Sequence, residues 1–256
     1  MKTRNVLLLA LAMSFSDVAV NAQNKLQDKM QTPHTFSKTR TVGCQYLVSF
    51  PRDYDGQSEK RWPLILFLHG AGERGTNVWN ASVHGPSKYA AAHPEFPFVL
   101  VSPLCPAEEV WSNEVLLELL DEMLAKHKVD AKRVYLTGLS MGGFGTWSLG
   151  VSQAGKFAAM APICGGGDRL EIILAARGLS GPVKLQNLQS LPVWVFHGAK
   201  DPVVPVEESE RMVQAMKVAQ CEDVKFTIYP EAQHDAWTET YNNPALYEWF
   251  LKHARK

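Results

Sequence analysis

The sequence predicts an α/β fold, a mostly parallel twisted sheet of about eight strands with helices on both faces and a short cap insertion. Three observations carry that expectation. Short apolar runs recur down the chain, with helical patterns between them. The runs are continuous rather than alternating, as parallel strands covered on both faces require. A chain of 256 residues, 46% hydrophobic and 20% charged, is large enough to bury one such core.

The elements follow in order. Residues 1–22 open with Lys2 and Arg4, continue with the apolar stretch Val6 to Phe15, and end with Val20 and Ala22 spaced as small residues before a cleavage site. This pattern predicts a secretory signal peptide cut after Ala22. The apolar stretch falls short of the roughly 20 residues of a spanning helix, and no later segment is long and apolar enough, so no membrane span is expected. Residues 23–40 are expected to form a short N-terminal segment, and residues 41–256 the α/β domain. "TVGCQYLVSFP" reads as an early strand, half of a hairpin. "PLILFLHG", "FPFVLVSP", "RVYLTG", "FAAMAP", "LPVWVFHG" and "VKFTIYP" read as the remaining strands. "NEVLLELLDEMLAKHK", "MGGFGTWSLGVSQ", "VEESERMVQAMKVAQ" and "PALYEWFLKHARK" read as helices. Gly165 to Ser190 is too long for a simple connection and contains "DRLEIILAARGL", which predicts a small helical excursion.

Composition narrows the function. The formal net charge is zero, and removal of residues 1–22 makes it −1. There is no basic face, which argues against nucleic acid as a partner. The four cysteines, Cys44, Cys105, Cys164 and Cys221, match no metal-site spacing. They allow three full pairings, among which the sequence does not choose. No phosphate-loop string is present, and no metal or cofactor is expected.

"TGLSMGGFG" carries the chemistry. A strand precedes Ser140 and a helix follows it. So sharp a turn crowds strand against helix, and the positions two before and two after the serine must be nearly free of side chain. Gly138 and Gly142 meet that need, and the serine is left exposed at the strand's C-terminal end. With glycine and serine each near 7% of residues, G-x-S-x-G arises by chance in roughly one in ten chains of this length. The strand-to-helix context is what gives it weight.

A serine hydroxyl needs a base, and in this arrangement the acid and then the histidine follow in chain order. Asp201 stands in "FHGAKDPVVP", at the C-terminal end of a later strand, where open α/β sheets keep their sites. His234 stands in "YPEAQHDAW" after the last strand. Asp201 would orient His234, and His234 would take the Ser140 proton. Glu231 and Asp235 flank His234, but neighbours on one loop rarely point at each other. His197 ends a strand and reads as packed, His69 reads as structural, and His84 and His253 lie off the pattern. An acyl-transfer oxyanion needs backbone donors. The Met141 N–H is one. The loop "HGAGERG" offers the other at Ala71, with Gly72 second, and Glu73 and Arg74 are a candidate pair to brace it. Trp111 and Trp237 are candidate substrate-binding walls, Trp237 being three residues past His234; Trp147 is a third such residue.

"FLHGAGERG", "RVYLTGLSMGGFGTW", "PICGGGD", "VWVFHGAKDPVVP" and "YPEAQHDAW" together resemble the α/β-hydrolase superfamily. Within it the chain is similar to small secreted esterases of the polyhydroxybutyrate-depolymerase and feruloyl/acetylxylan esterase group, carbohydrate esterase family 1 in the broad sense. It also resembles sequences called "predicted peptidase" for their likeness to prolyl oligopeptidase catalytic domains. The resemblance implies a nucleophile at Ser140, an acid at Asp201, a base at His234 and oxyanion donors at Ala71 and Met141. Related dienelactone hydrolases use a cysteine nucleophile, and Ser140 departs from that. No propeller domain and no long lid is visible.

The expected function is that of a secreted or periplasmic serine esterase cleaving carboxylic esters, small or polysaccharide-linked, such as feruloyl or acetyl groups on plant polysaccharide. The alternatives are a prolyl-oligopeptidase-like serine peptidase and a non-catalytic binding protein on the same scaffold.

Overall fold

The apolar runs become strands because each is buried on both faces. From Leu64 to Leu68 and from Val99 to Val101 no residue is more than 2% exposed. Burying one such side chain is worth about 1.5–3 kcal/mol. In the computed structural model, which describes residues 35–39, 41–179 and 184–255, these runs form a seven-stranded sheet. The strands are β1 (Tyr46–Ser49), β2 (Trp62–Leu68), β3 (Val99–Pro103), β4 (Val129–Leu139), β5 (Ala159–Ile163), β6 (Val193–Gly198) and β7 (Val224–Tyr229). Their spatial order is β1-β3-β2-β4-β5-β6-β7. Only β1 is antiparallel, with Tyr46 opposite Pro103 and Ser49 opposite Leu100. The other pairs are parallel. Among the described residues there are thus seven strands rather than about eight. The segment read as half of a hairpin makes a single edge strand, because it pairs directly with β3. Residues 1–22, read as a signal peptide, and residues 23–34 lie outside the described residues.

The helices are α1 (Gly85–Ala92), α2 (Asn113–Lys126), α3 (Met141–Ser152), α4 (Leu170–Ala176), α5 (Leu185–Gln189), α6 (Val206–Val218), α7 (Ala236–Asn242) and α8 (Pro244–Leu251). Ser112 caps α2 by accepting the Val115 N–H, and Leu116, Leu119, Leu120 and Met123 form its buried stripe. Alternate residues of β2 feed two clusters on opposite sides of the sheet. Leu64, Leu66 and Leu68 join the stripe of α2, Trp147 of α3 and Met212 and Met216 of α6. Ile65 and Phe67 join Tyr241 of α7 and Leu246 and Phe250 of α8. Two-sided coverage is therefore direct. The excursion after β5 carries α4 and α5, whose Ile172, Ala175 and Leu188 are buried in the first cluster. Its residues 180–183 lie outside the described residues.

Strand order positions the site. From β2 the chain steps outward to β3, returns to β4 on the other side of β2, and then runs on to β7. The order reverses at β2 and β4, and open sheets of this kind bind ligands beyond the carboxyl ends of the strands at that switch point. The "HGAGERG" loop leaves β2 there and Ser140 leaves β4 there.

Candidate active site

The bend after β4 is as tight as its glycines suggest. A β-carbon on Gly142 would overlap the Leu68 carbonyl, and one on Gly138 would overlap the Gly142 carbonyl. Between them Ser140 adopts φ 52° and ψ −118°. A non-glycine residue in that region costs on the order of 1–3 kcal/mol and is held there only by its surroundings. Here the Ser140 N–H donates to the Ile163 carbonyl at 3.0 Å, and the Ser140 carbonyl accepts the Phe144 N–H at 3.1 Å. The strain turns the hydroxyl out of the sheet at the N-terminus of α3.

The loops after β6 and β7 bring the other two groups. Gly198 ends β6 where a β-carbon would collide with the Gln233 and Ala232 carbonyls, so the two loops are packed together. The Lys200 N–H donates to the Ala232 carbonyl at 3.0 Å, and the Lys200 ammonium pairs with Glu231. Asp201 Oδ2 lies 2.7 Å from His234 Nδ1, and His234 Nε2 lies 2.9 Å from Ser140 Oγ. A carboxylate can only accept, so Nδ1 carries the hydrogen. Nε2 then holds the lone pair and accepts the Ser140 hydroxyl. This is the proton inventory a general base for a serine nucleophile requires.

The Asp201 side chain is fully buried. Burial alone would raise its pKa. The hydrogen bonds it accepts from His234, the Val204 N–H and the Val203 N–H outweigh that and hold the carboxyl below the ordinary carboxylate range. Asp201 is therefore ionised when His234 becomes positive.

Cys164 adjoins Asp201 and His234. Its sulfur, the Asp201 carboxylate and a ring nitrogen of His234 all lie within 4.8 Å of one another. Neither a nucleophile nor a metal ligand is suited to that place. Cys164 is 0% exposed, and burial pushes its thiol far up, so the reactive thiolate is suppressed. The proton shared by His234 and Asp201 already uses the donors a cation would need. All four cysteines are free thiols.

The loop after β2 is braced through side chains from elsewhere. Buried His69 accepts the Cys105 N–H on Nε2 at 3.0 Å, so its hydrogen is on Nδ1, which donates to the Gly70 carbonyl at 2.7 Å. Burial also lowers the pKa of this ring and keeps it neutral. Gly70 C=O and Ala71 N–H belong to one peptide group, so His69 fixes the candidate oxyanion donor through its carbonyl. The Gly70 N–H donates to Glu73 Oε2 at 2.9 Å. Arg74 donates to the Ala71 carbonyl and the Glu109 carbonyl, each at 3.0 Å. Glu73 and Arg74 thus brace the loop separately rather than as a pair; Glu73 faces His84 instead, at 3.8 Å. A β-carbon on Gly70 would lie 3.6 Å from Ser140 Cβ, which puts this loop against Ser140. Met141, the second candidate donor, begins α3, where backbone N–H groups have no partner within the helix.

The two tryptophans separate. Trp237 stands beside His234, ring centroids 5.2 Å apart and nearly perpendicular, and 5.9 Å from His84. Trp111 donates its indole N–H to the His69 carbonyl at 3.1 Å and lies edge-on to the His69 ring. It supports the loop from behind. Trp147 is fully buried in the core. His84, which no sequence pattern marked, joins Trp237 and Glu73 at the rim.

Comparison with known proteins shows what the chain is similar to. The chain is 26% identical over 211 residues to a bifunctional acetylxylan esterase/xylanase of Neocallimastix patriciarum, covering 75% of this chain and 28% of that protein. It is 25% identical over 171 residues to a probable feruloyl esterase C of Aspergillus terreus, covering 64% of this chain and 57% of that one. Among solved structures it resembles a thermostable esterase at 30% identity and a TM-score of 0.66, covering 82% of this chain and 59% of that one. The chain therefore spans less than two thirds of the length of each of these relatives. The model of the dienelactone hydrolase family matches residues 107–248, more than half of the chain, and the chain belongs to that family, within the α/β-hydrolase superfamily.

Proposed function

We propose that this protein is a serine hydrolase of carboxylic esters that works through an acyl-enzyme on Ser140. The continuous chain from Ser140 Oγ through His234 to Asp201 carries the reading. Ser140 attacks the ester carbonyl as its proton passes to His234 Nε2. Asp201 balances the imidazolium, and the Ala71 and Met141 N–H groups receive the oxyanion. His234 returns the proton to the leaving alcohol, and water repeats the sequence to release the acid. The acetylxylan and feruloyl esterase relatives, together with Trp237 beside the base, support short acyl or cinnamoyl esters on a polysaccharide as substrate.

A panel of methyl ferulate, acetylated xylan, short- and long-chain p-nitrophenyl esters and a proline-containing peptide amide tests this. We expect ester cleavage, with short or cinnamoyl acyl groups preferred over long chains. Peptide cleavage with inert esters would replace the reading by a peptidase. Silence across the panel from folded protein would replace it by a binding protein.

The same reading places the mature enzyme outside the cytoplasm, on the pattern of residues 1–22. Edman sequencing of protein from the periplasm or medium is expected to begin at or within a few residues of Gln23. Recovery of intact Met1 in the cell's soluble fraction would refute export.

A further inference from the structure

One buried titratable group takes no part in those steps. His197, the penultimate residue of β6, is 0% exposed. A polar ring in a core is costly unless its nitrogens are satisfied, and the partners of this one are specific. Nε2 lies 2.9 Å from the Val204 carbonyl and 3.3 Å from Asp201 Oδ2. Both are acceptors, so Nε2 carries the hydrogen. Nδ1 lies 2.7 Å from the buried Ser209 hydroxyl, which lies 2.9 Å from the Gly165 carbonyl, so the one Ser209 hydrogen serves either of these two acceptors at a time.

These contacts close on the acid. Asp201 Oδ1 accepts the N–H groups of Val203 and Val204, each at 2.9 Å. Val204 is therefore held at both ends, its N–H by Asp201 and its carbonyl by His197. Oδ2 faces two imidazoles, His234 on one side and His197 on the other. An apolar side chain would fill the space of His197 but would leave the Val204 carbonyl unpaired and Oδ2 without its inner neighbour.

We infer that His197, anchored by Ser209, is the positioning residue of Asp201: it pins the Asp201–Val204 turn and fixes the rotation of the carboxylate toward His234. The inference rests on the serine-hydrolase reading above.

A double-mutant cycle with Asp201 tests it, using p-nitrophenyl acetate turnover by the full-length protein and Ser140→Ala as the control. H197L is expected to lower kcat on the order of 100-fold with little change in KM, the scale of a misplaced catalytic group. H197Q, whose amide N–H reaches the Nε2 position, is expected to recover most of that loss. In a D201N background, H197L is expected to cost less than about 3-fold, because no carboxylate remains to be placed. A cost that persists in full beside D201N, or an H197L enzyme within about 3-fold of wild type, overturns the inference. Should H197L fail to fold, S209A run through the same cycle decides. A loss confined to the Asp201 background upholds the role, and no loss or a fully additive one overturns it. Activity that survives Ser140→Ala would bring down the serine-hydrolase reading and this one together, whereas a dead Ser140→Ala enzyme with an additive cycle removes only the role of His197.

Discussion

Ser140→Ala is expected to lower kcat on p-nitrophenyl acetate by about 10⁶-fold, the scale seen when a triad nucleophile is removed while binding groups remain. The protein should stay folded. Ser140 makes its structural hydrogen bonds through the backbone, and alanine preserves them. Its positive φ is held by the close approach of β4 and α3, which the substitution leaves untouched. Circular dichroism and thermal unfolding check the fold, and a fluorophosphonate probe should label wild type at Ser140 and leave the variant unlabelled. Cys164→Ala is the informative companion. Its thiol is buried and held protonated, so this variant should retain turnover. Should Cys164→Ala abolish activity while Ser140→Ala spares it, the nucleophile is the thiol and the mechanism proposed above is wrong.

The second large effect is expected at Asp201. Asp201→Asn should reduce kcat about 10⁴-fold, because an amide at this position favours the wrong tautomer of its histidine. The geometry makes the reason specific. Oδ2 is the group that keeps the hydrogen on His234 Nδ1 and leaves Nε2 free to accept from Ser140. Oδ1 is engaged by two backbone N–H groups. An Asn side chain that keeps its oxygen on those donors turns its NH₂ toward His234, which then must carry its hydrogen on Nε2 and cannot take the serine proton. KM should move little, since the Asp201 side chain is fully buried. A larger loss in Asp235→Asn or Glu231→Gln than in Asp201→Asn would move the acid elsewhere. The contacts argue against that, with Glu231 on Lys200 and Asp235 at the start of α7.

Much of the geometry of this candidate site is legible in the sequence. Gly138, Ser140 and Gly142 form a local pattern, and the steric need they answer is local too, so five consecutive residues suffice to state it. Asp201 and His234 were legible from strand ends, because parallel strands deliver all their C-terminal loops to one edge. The continuous apolar runs marked a sheet buried on both faces for the same kind of reason: each residue type reports its own burial. The strand count was less secure, since an edge strand such as β1 carries the same alternation whether it belongs to a hairpin or pairs with a distant strand.

What the tertiary structure alone decided are the partners of groups whose chemistry admits several. His69 meets a backbone N–H 36 residues away, and Arg74 a carbonyl 35 residues away. Glu73 turned to Gly70 and His84 rather than to Arg74. Trp111 and Trp237 have the same side chain, yet one donates to the His69 carbonyl and the other stands beside His234. His197 reads in sequence as an ordinary packed residue, and only the return of α6 and of the Asp201–Val204 turn gives its nitrogens their meaning. Residue type and spacing determine what a side chain can do and which edge of the sheet it reaches. Distance and direction between elements far apart in the chain determine which of those capacities is used, because hydrogen bonds act over about 3 Å and no sequence pattern resolves placement that finely.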